Sequence, residues 1–231
     1  MLIIGALLAG VVASASQGLQ TPPIYQPGAP GAATRTITAA EAVEINRSSF
    51  TAADVAFMQH MLIHHAQAVE MVGLLETRGS QARVKLMGRR IALSQEAEMQ
   101  LMRTWLTDRG QPLEMAGMGG MAHAGMDHSG MNHGAPDGHA MSADDTPVMA
   151  GMLTPRQMRT LAAANGPDFD ALFLNGMIQH HQGALDMVDT LMETHDAAED
   201  TLLSDFITSV VSDQSAEILR MQSLLSDLPN P

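Results

Sequence analysis

The sequence predicts an all-α fold, a four-helix bundle made from two duplicated αα-hairpins with a long Met/His/Gly-rich crossover loop between them. Three observations carry that prediction. Residues Phe57–Val72, FMQHMLIHHAQAVEMV, align without a gap with Phe173–Val188, FLNGMIQHHQGALDMV, at an offset of 116 residues. Downstream of each, Gln95-x-x-Glu98-x-x-x-Met102 matches Gln214-x-x-Glu217-x-x-x-Met221, with Leu106 opposite Leu225. In all four stretches the apolar residues recur at helical spacing. Each repeat is then a pair of helices whose apolar stripe stays wet unless a second pair covers it.

The elements follow in order from local signals. Residues 1–15, MLIIGALLAGVVASA, are an apolar run ending in Ala13-Ser14-Ala15, a cleavage signature. The run is shorter than the ~20 residues of a membrane helix, so it reads as a secretory signal peptide. It lacks the basic residues that usually open such a segment. The alternative is a short uncleaved anchor, the one point where the chain would meet a membrane. Either way the protein is expected to be exported, to the periplasm or beyond the cell. Residues 16–37, rich in Pro, Gly, Thr and Gln, read as a disordered tether.

The first hairpin is expected over residues 38–113. A short helix near Ala39–Asn46 precedes a long one over Ala52–Arg78, which Thr51 can cap. Gly79-Ser80 break it, and a second long helix runs over Gln81–Arg109 to Gly110 and Pro112. Residues 114–152 form the crossover loop, and the second hairpin occupies 153–231. There Thr154 caps a short helix over Pro155–Ala164 with Pro155 at its first position. Long helices follow over Asp168–Thr194 and Ala197–Asp227.

Composition narrows the function. The 231 residues carry a formal net charge of −13, which argues against nucleic acid and suits cationic partners, metal ions included. The same acidity would serve a secreted protein simply by keeping it soluble. There is no Cys, hence neither a disulfide framework nor a thiolate metal site. Aromatic residues make up 3% of the chain and Met contributes 20 positions, so any soft-metal chemistry falls to Met and His.

At 100° per residue, Phe57, Met61, His64, Ala68, Met71 and Leu75 share one helix face. Phe173, Met177, His180, Ala184, Met187 and Leu191 do the same in the second copy. His64 and His180 thus sit inside the apolar stripe, each between two Met, while His65 and His181 point about a quarter-turn away. On the partner helices Gln95, Met102, Gln214 and Met221 face inward, with Glu98 and Glu217 at the edge. Two readings stay open. In one, each neutral His satisfies a facing Gln and the Met are flexible core filling. In the other, His and Met ligate a soft metal ion. His60 adds an imidazole one turn before His64, where the second copy has Gly176. A di-iron site is excluded, because the chain has no Glu-x-x-His and Glu70 and Asp186 point away from the stripe.

The crossover contains GMGGMAHAGMDHSGMNHG, Gly117–Gly134. Met121-Ala122-His123, Met126-Asp127-His128 and Met131-Asn132-His133 repeat one phrase on a five-residue period. Thioether sulfur is a soft ligand that Cu(I) and Ag(I) accept, and imidazole serves Cu(I) and Cu(II) alike. Glycine lets such a loop fold round an ion. Between Met115 and Met152 lie eight Met and four His, enough for more than one ion.

With both motifs laid out, the chain resembles the family called domain of unknown function 305, ferritin-like four-helix proteins of bacterial envelopes. The family's hallmark is Met-x-x-His-His, a small residue and a Met, followed by Gln-x-x-Glu-[Ile/Met]-x-x-Met. Here these are Met61, His64, His65, Ala68 and Met71 with Gln95, Glu98, Met99 and Met102. The second copy supplies Met177, His180, His181, Ala184 and Met187, then Gln214, Glu217, Ile218 and Met221. The resemblance covers Thr38–Leu106 and Thr154–Leu225, and it implies copper binding and copper tolerance, which are linked to some members.

The reading that follows is a non-enzymatic, exported copper protein that sequesters, buffers or transfers Cu(I). Ag(I) and Cu(II) are further candidates, and another envelope copper protein is the expected partner. Ligands are expected in the helices at Met61, His64, His65, Met71, Met102, Met177, His180, His181, Met187 and Met221. In the crossover they are Met121, His123, Met126, His128, Met131 and His133. The alternative is a structural or interaction bundle whose His/Gln pairs are core contacts and whose loop is a spacer. Catalysis is not expected, since no nucleophile–base pair, phosphate loop or carboxylate dyad stands out. Replacing Met121, Met126 and Met131 together by Leu should lower Cu(I) capacity in equilibrium dialysis and leave the thermal midpoint almost unchanged. Undiminished capacity would remove the loop from the metal chemistry.

Overall fold

The computed structural model describes residues 22–28, 31–45, 49–114 and 143–228. They are mostly helical, as an all-α reading requires, and they fall into two compact units, Met1–Arg47 and Ser48–Pro231. In the first unit, β1 (Ile24–Gln26) pairs antiparallel with β2 (Arg35–Ile37), Ile24 opposite Ile37 and Tyr25 opposite Thr36. This corrects the expectation of a tether without structure across 16–37. Ile, Tyr and Thr favour extended backbone, and Arg35 Nε donates to Gln26 Oε1 at 2.6 Å across the pair. Helix α1 (Ala39–Ile45) then starts on a reciprocal cap: Glu41 N donates to Thr38 Oγ, and Thr38 N donates to the Glu41 carboxylate at 2.7 Å. Those bonds, from the Thr38 backbone first, hold the Glu41 carboxyl below its usual pKa.

The second unit contains α2 (Ala52–Arg78), α3 (Ala82–Asp108), a 3₁₀ turn (Ala143–Asp145), α4 (Pro155–Ala163), α5 (Gly166–Met192) and α6 (Thr201–Ser226). Thr51 and Thr154 each close a capping box, with Asp54 and Gln157 respectively. α2 packs along α3, α5 along α6, α2 against α5, and α3 against α6. The connection from α5 to α6 is longer than the sequence suggests. It runs through Asp196 and Ala198, both at positive φ, before Asp200 caps α6 through Leu203 N at 3.0 Å.

The apolar interior is not continuous. One cluster holds Ala68, Met71, Leu75, Ile91, Phe173 and Met177 with their neighbours; another holds Phe57, Met61, Met102, Trp105, Phe206 and Val210 with theirs. Buried polar residues separate them on every long helix: His64 and His65, Gln95, His180 and His181, and Gln214.

Two aspartates at matching repeat positions hold the helical pairs in register. Asp54, in the first turn of α2, accepts Ala198 N at 2.8 Å from the connection between α5 and α6. Asp170, in the second turn of α5, accepts Ser80 N, Ser80 Oγ and Gln81 N from the connection between α2 and α3, at 2.6–3.2 Å. Each pair thus caps the turn of the other with a fully buried carboxylate. A third buried carboxylate, Asp200, binds Trp105 Nε1 at 3.0 Å and the Arg109 guanidinium, which lies over the Trp105 ring. Burial pushes the Asp200 pKa up, but its bonds from Trp105, Arg109 and Leu203 outweigh that and leave it below the ordinary value.

Asp170→Ala should cost roughly 1–3 kcal/mol in urea unfolding, because it removes a fully buried carboxylate that accepts from two backbone N–H groups and a hydroxyl. A loss below about 0.5 kcal/mol would show that the crossed caps do not matter to stability.

Candidate metal centre

The polar layer is built from the two His-His pairs. Ala68 and Ala184, one turn past each pair, keep the facing helices close, and the His64 and His180 rings meet at 3.8 Å between centroids with 42° between planes. All four imidazoles are at most 1% exposed, including His65 and His181. The quarter-turn expected to carry those two away from the core instead aims His65 at α3 and His181 at α6.

Each ring uses Nε2 in the same way. His64 Nε2 donates to Ala150 O at 3.0 Å, and His180 Nε2 donates to His64 O at 2.8 Å. His65 Nε2 meets Glu98 Oε2 at 2.6 Å, and His181 Nε2 meets Glu217 Oε2 at 2.8 Å. An oxygen acceptor at Nε2 places the proton there, so in the neutral ring Nδ1 carries a bare lone pair. Among the described residues none of the four Nδ1 atoms has a hydrogen-bond partner. Burial drives the His64 pKa down to about 4, aided by the nearby His65 and His181 rings and opposed by the Ala150 bond. His180 is held well below its ordinary value, first by burial and then by His64 and His181. Both rings are therefore neutral near pH 7.

The His–Gln pairing read from the stripes is not what forms. Gln95 Oε1 and both amide atoms of Gln214 are buried without partners, while the histidines bond to backbone and carboxylate oxygens. The reason is tertiary: a third chain segment and the edge carboxylates reach the rings before the amides can.

The methionines divide across the layer. Met61 and Met102 lie in one apolar cluster with half-buried Met187 packed against it; Met71, Met177 and Met221 lie in the other. Each group mixes both copies, so Met61 and Met71, which share a helix face with His64, stand on opposite sides of its ring layer. Met121, His123, Met126, His128, Met131 and His133 lie outside the described residues. Among the described residues no group of three or more His, Asp and Glu is placed so that it could hold a metal ion by itself.

The ends of the crossover are tied to α2. Gln59 Nε2 donates to Pro112 O at 2.7 Å. Gln67 exchanges two bonds with the Leu153 backbone, at 3.0 and 2.7 Å, and Gln179 Nε2 reaches Gly151 O at 3.2 Å. The strap Ala150–Leu153 is thereby laid into the groove between α2 and α5. Gly151, at φ 71°, sits so close to Gly183 that a Cβ on Gly183 would stand 2.2 Å from Ala150 O. Sequence reasoning did not find these glutamines and glycines, nor Asp54 and Asp170. The aspartates had a signal, since they align at the repeat offset; the strap contacts had none.

A profile of the family described as domain of unknown function (DUF305) matches residues 54–225, so the chain belongs to that family. No curated protein matches it significantly. A DUF305 fragment from Deinococcus radiodurans has a similar fold, with TM-score 0.59, 27% identity, and coverage of 78% of this chain and 99% of that one. A DUF305 protein from Streptomyces coelicolor gives 0.57 and 23%, covering 76% and 93%. CopM in its Cu(I)-bound form gives 0.53 and 22%, covering 79% and 100%.

The neutral, buried rings predict an acid-labile fold. Because the folded pKa of His64 lies below the unfolded 6.5, the unfolded chain binds more protons between these values. Stability should be level above pH 6.5 and fall as the pH drops towards 4, with His64 contributing on the order of 3 kcal/mol and His180 acting in the same sense. Thermal unfolding of the metal-free protein at stepped pH checks this, and a flat profile across that window would contradict it.

Proposed function

We propose that this chain is an exported, non-catalytic copper-binding protein that sequesters, buffers or hands on Cu(I) through Met and His ligands, with Ag(I) an equivalent cargo. One observation carries the proposal: four buried imidazoles whose Nε2 protons are pinned by oxygen atoms, each leaving an unpartnered Nδ1. Glu98 and Glu217 stand behind His65 and His181 as carboxylates stand behind metal-binding histidines, fixing the tautomer and raising ligand basicity. Thioethers on both sides of the layer select a soft, monovalent ion over Zn(II), Ca(II) or Mg(II). CopM, which shares the fold, has been solved with Cu(I), Cu(II) and Ag bound. The same reading takes the two helical pairs as duplicated αα-hairpins of a ferritin-like four-helix bundle, which the crossed Asp54 and Asp170 caps support. It takes the N-terminal apolar run as the export signal.

A second reading keeps the histidines as internal contacts only. What favours it is that every Nε2 is already satisfied by the protein itself. The two readings separate on the metal-induced rise in thermal midpoint. At a hundredfold excess of free Cu(I) over Kd, binding should add roughly 2.7 kcal/mol to the wild-type protein. In a His64→Leu/His180→Leu variant that increment should largely vanish, whatever the substitution does to the metal-free fold. An equal increment in both proteins would leave the histidines as contacts.

A further inference from the structure

The outer groove between α2 and α5 has two halves related by the repeat. In one half the strap fills it: a Cβ on Gly176 would stand 3.1 Å from a Leu153 methyl and 3.2 Å from Met71 Cε. The aligned positions in the other half are His60 and Met187. There the groove is an open cleft of about 240 Å³, with Ala56, Phe57, His60, Met187, Thr190 and Leu191 in its walls. The repeat thus lines the open half with both a thioether and an imidazole, at the positions held by Met71 and Gly176 in the filled one.

The donor chemistry of the cleft is narrow. Thr190 and Thr194 spend their hydroxyl protons on Asp186 O and Thr190 O, at 2.8 and 3.2 Å. Among the described residues the His60 ring has no hydrogen-bond partner, although His60 is half-buried. Among the described residues no carboxylate lines the cleft. An imidazole nitrogen and a thioether sulfur on an apolar floor suit a monovalent d¹⁰ ion that accepts few, soft donors, and suit a divalent oxygen-seeking ion poorly.

We propose that His60 and Met187 form a second, solvent-facing site for Cu(I) or Ag(I), separate from the buried layer. The site rests on the copper reading for the identity of the ion. His60 is one helical turn from His64, so an ion held here is about 6 Å along α2 from the first interior imidazole. The second copy lacks the site, because Gly176 takes the place of His60 and Leu153 covers it.

The test is Ag(I) titration of the full chain by calorimetry, with the His60 ring followed by long-range ¹H–¹⁵N NMR and Zn(II) as the hard-metal control. The wild-type His60 resonances should shift with Ag(I) and not with Zn(II). His60→Leu and Met187→Leu should each lose one equivalent of Ag(I) with an unchanged thermal midpoint, and His60→Met, which supplies another soft donor, should keep it. Full Ag(I) stoichiometry in both Leu variants, with uptake elsewhere, overturns this site and leaves the buried centre standing. Loss of the equivalent in His60→Met overturns the donor assignment. Absence of Ag(I) binding by the wild-type protein overturns both proposals together.

Discussion

The rest of the structure is arranged around one unfavourable placement: four imidazoles enclosed between two apolar clusters, with an oxygen supplied to one nitrogen of each ring and, among the described residues, no partner for the other. An unpaired buried polar atom costs on the order of 1–3 kcal/mol, and the layer holds four such nitrogens besides the Gln95 and Gln214 amide atoms. A core selected for stability alone would close this layer with Leu or Ile. On the proposed copper reading, keeping it open is the cost of holding lone pairs in a dry interior for a soft ion.

That layer stands only because its surroundings are over-determined. Asp54 and Asp170 tie each helical pair to the turn of the other, so the two His-His pairs meet at a set height. Apolar clusters on both sides then fix the spacing of α2 and α5, and the strap supplies the carbonyl that orients His64. The asymmetry between the copies comes from the strap. It occupies the half of the groove where Gly176 and Gly183 leave room, and the half carrying His60 stays open. Two nearly equal sequences thereby acquire unequal surroundings.

Much of this was legible from residues. The positions of the long helices follow from apolar spacing, with Thr51, Gly79 and Gly110 marking ends of α2 and α3, and with errors of a few residues where the connection from α5 to α6 begins and ends. Those errors arose because Asp196 and Ala198 adopt positive φ without a glycine to announce it. The β1–β2 pairing was missed because Pro and Gly dominate the composition around two short extended runs. His64 and His180 are buried, as their place in the stripe suggests, whereas the Gln pairing weighed as one of two readings does not form. A helical wheel shows which residues face inward but not which of several inward acceptors arrives first.

The sequence by itself determined the helical class, the repeat, and a supply of soft ligands in a chain without cysteine, because periodicity and composition are local properties. Only the tertiary structure decided which nitrogen of each imidazole is occupied, how the methionines divide across the layer, and where the groove stays open. Those depend on atoms brought together from positions 86, 116 and more residues apart, as in the bonds from His64 to Ala150 and from His180 to His64. No local pattern encodes such meetings; they arise when packing selects one arrangement from many.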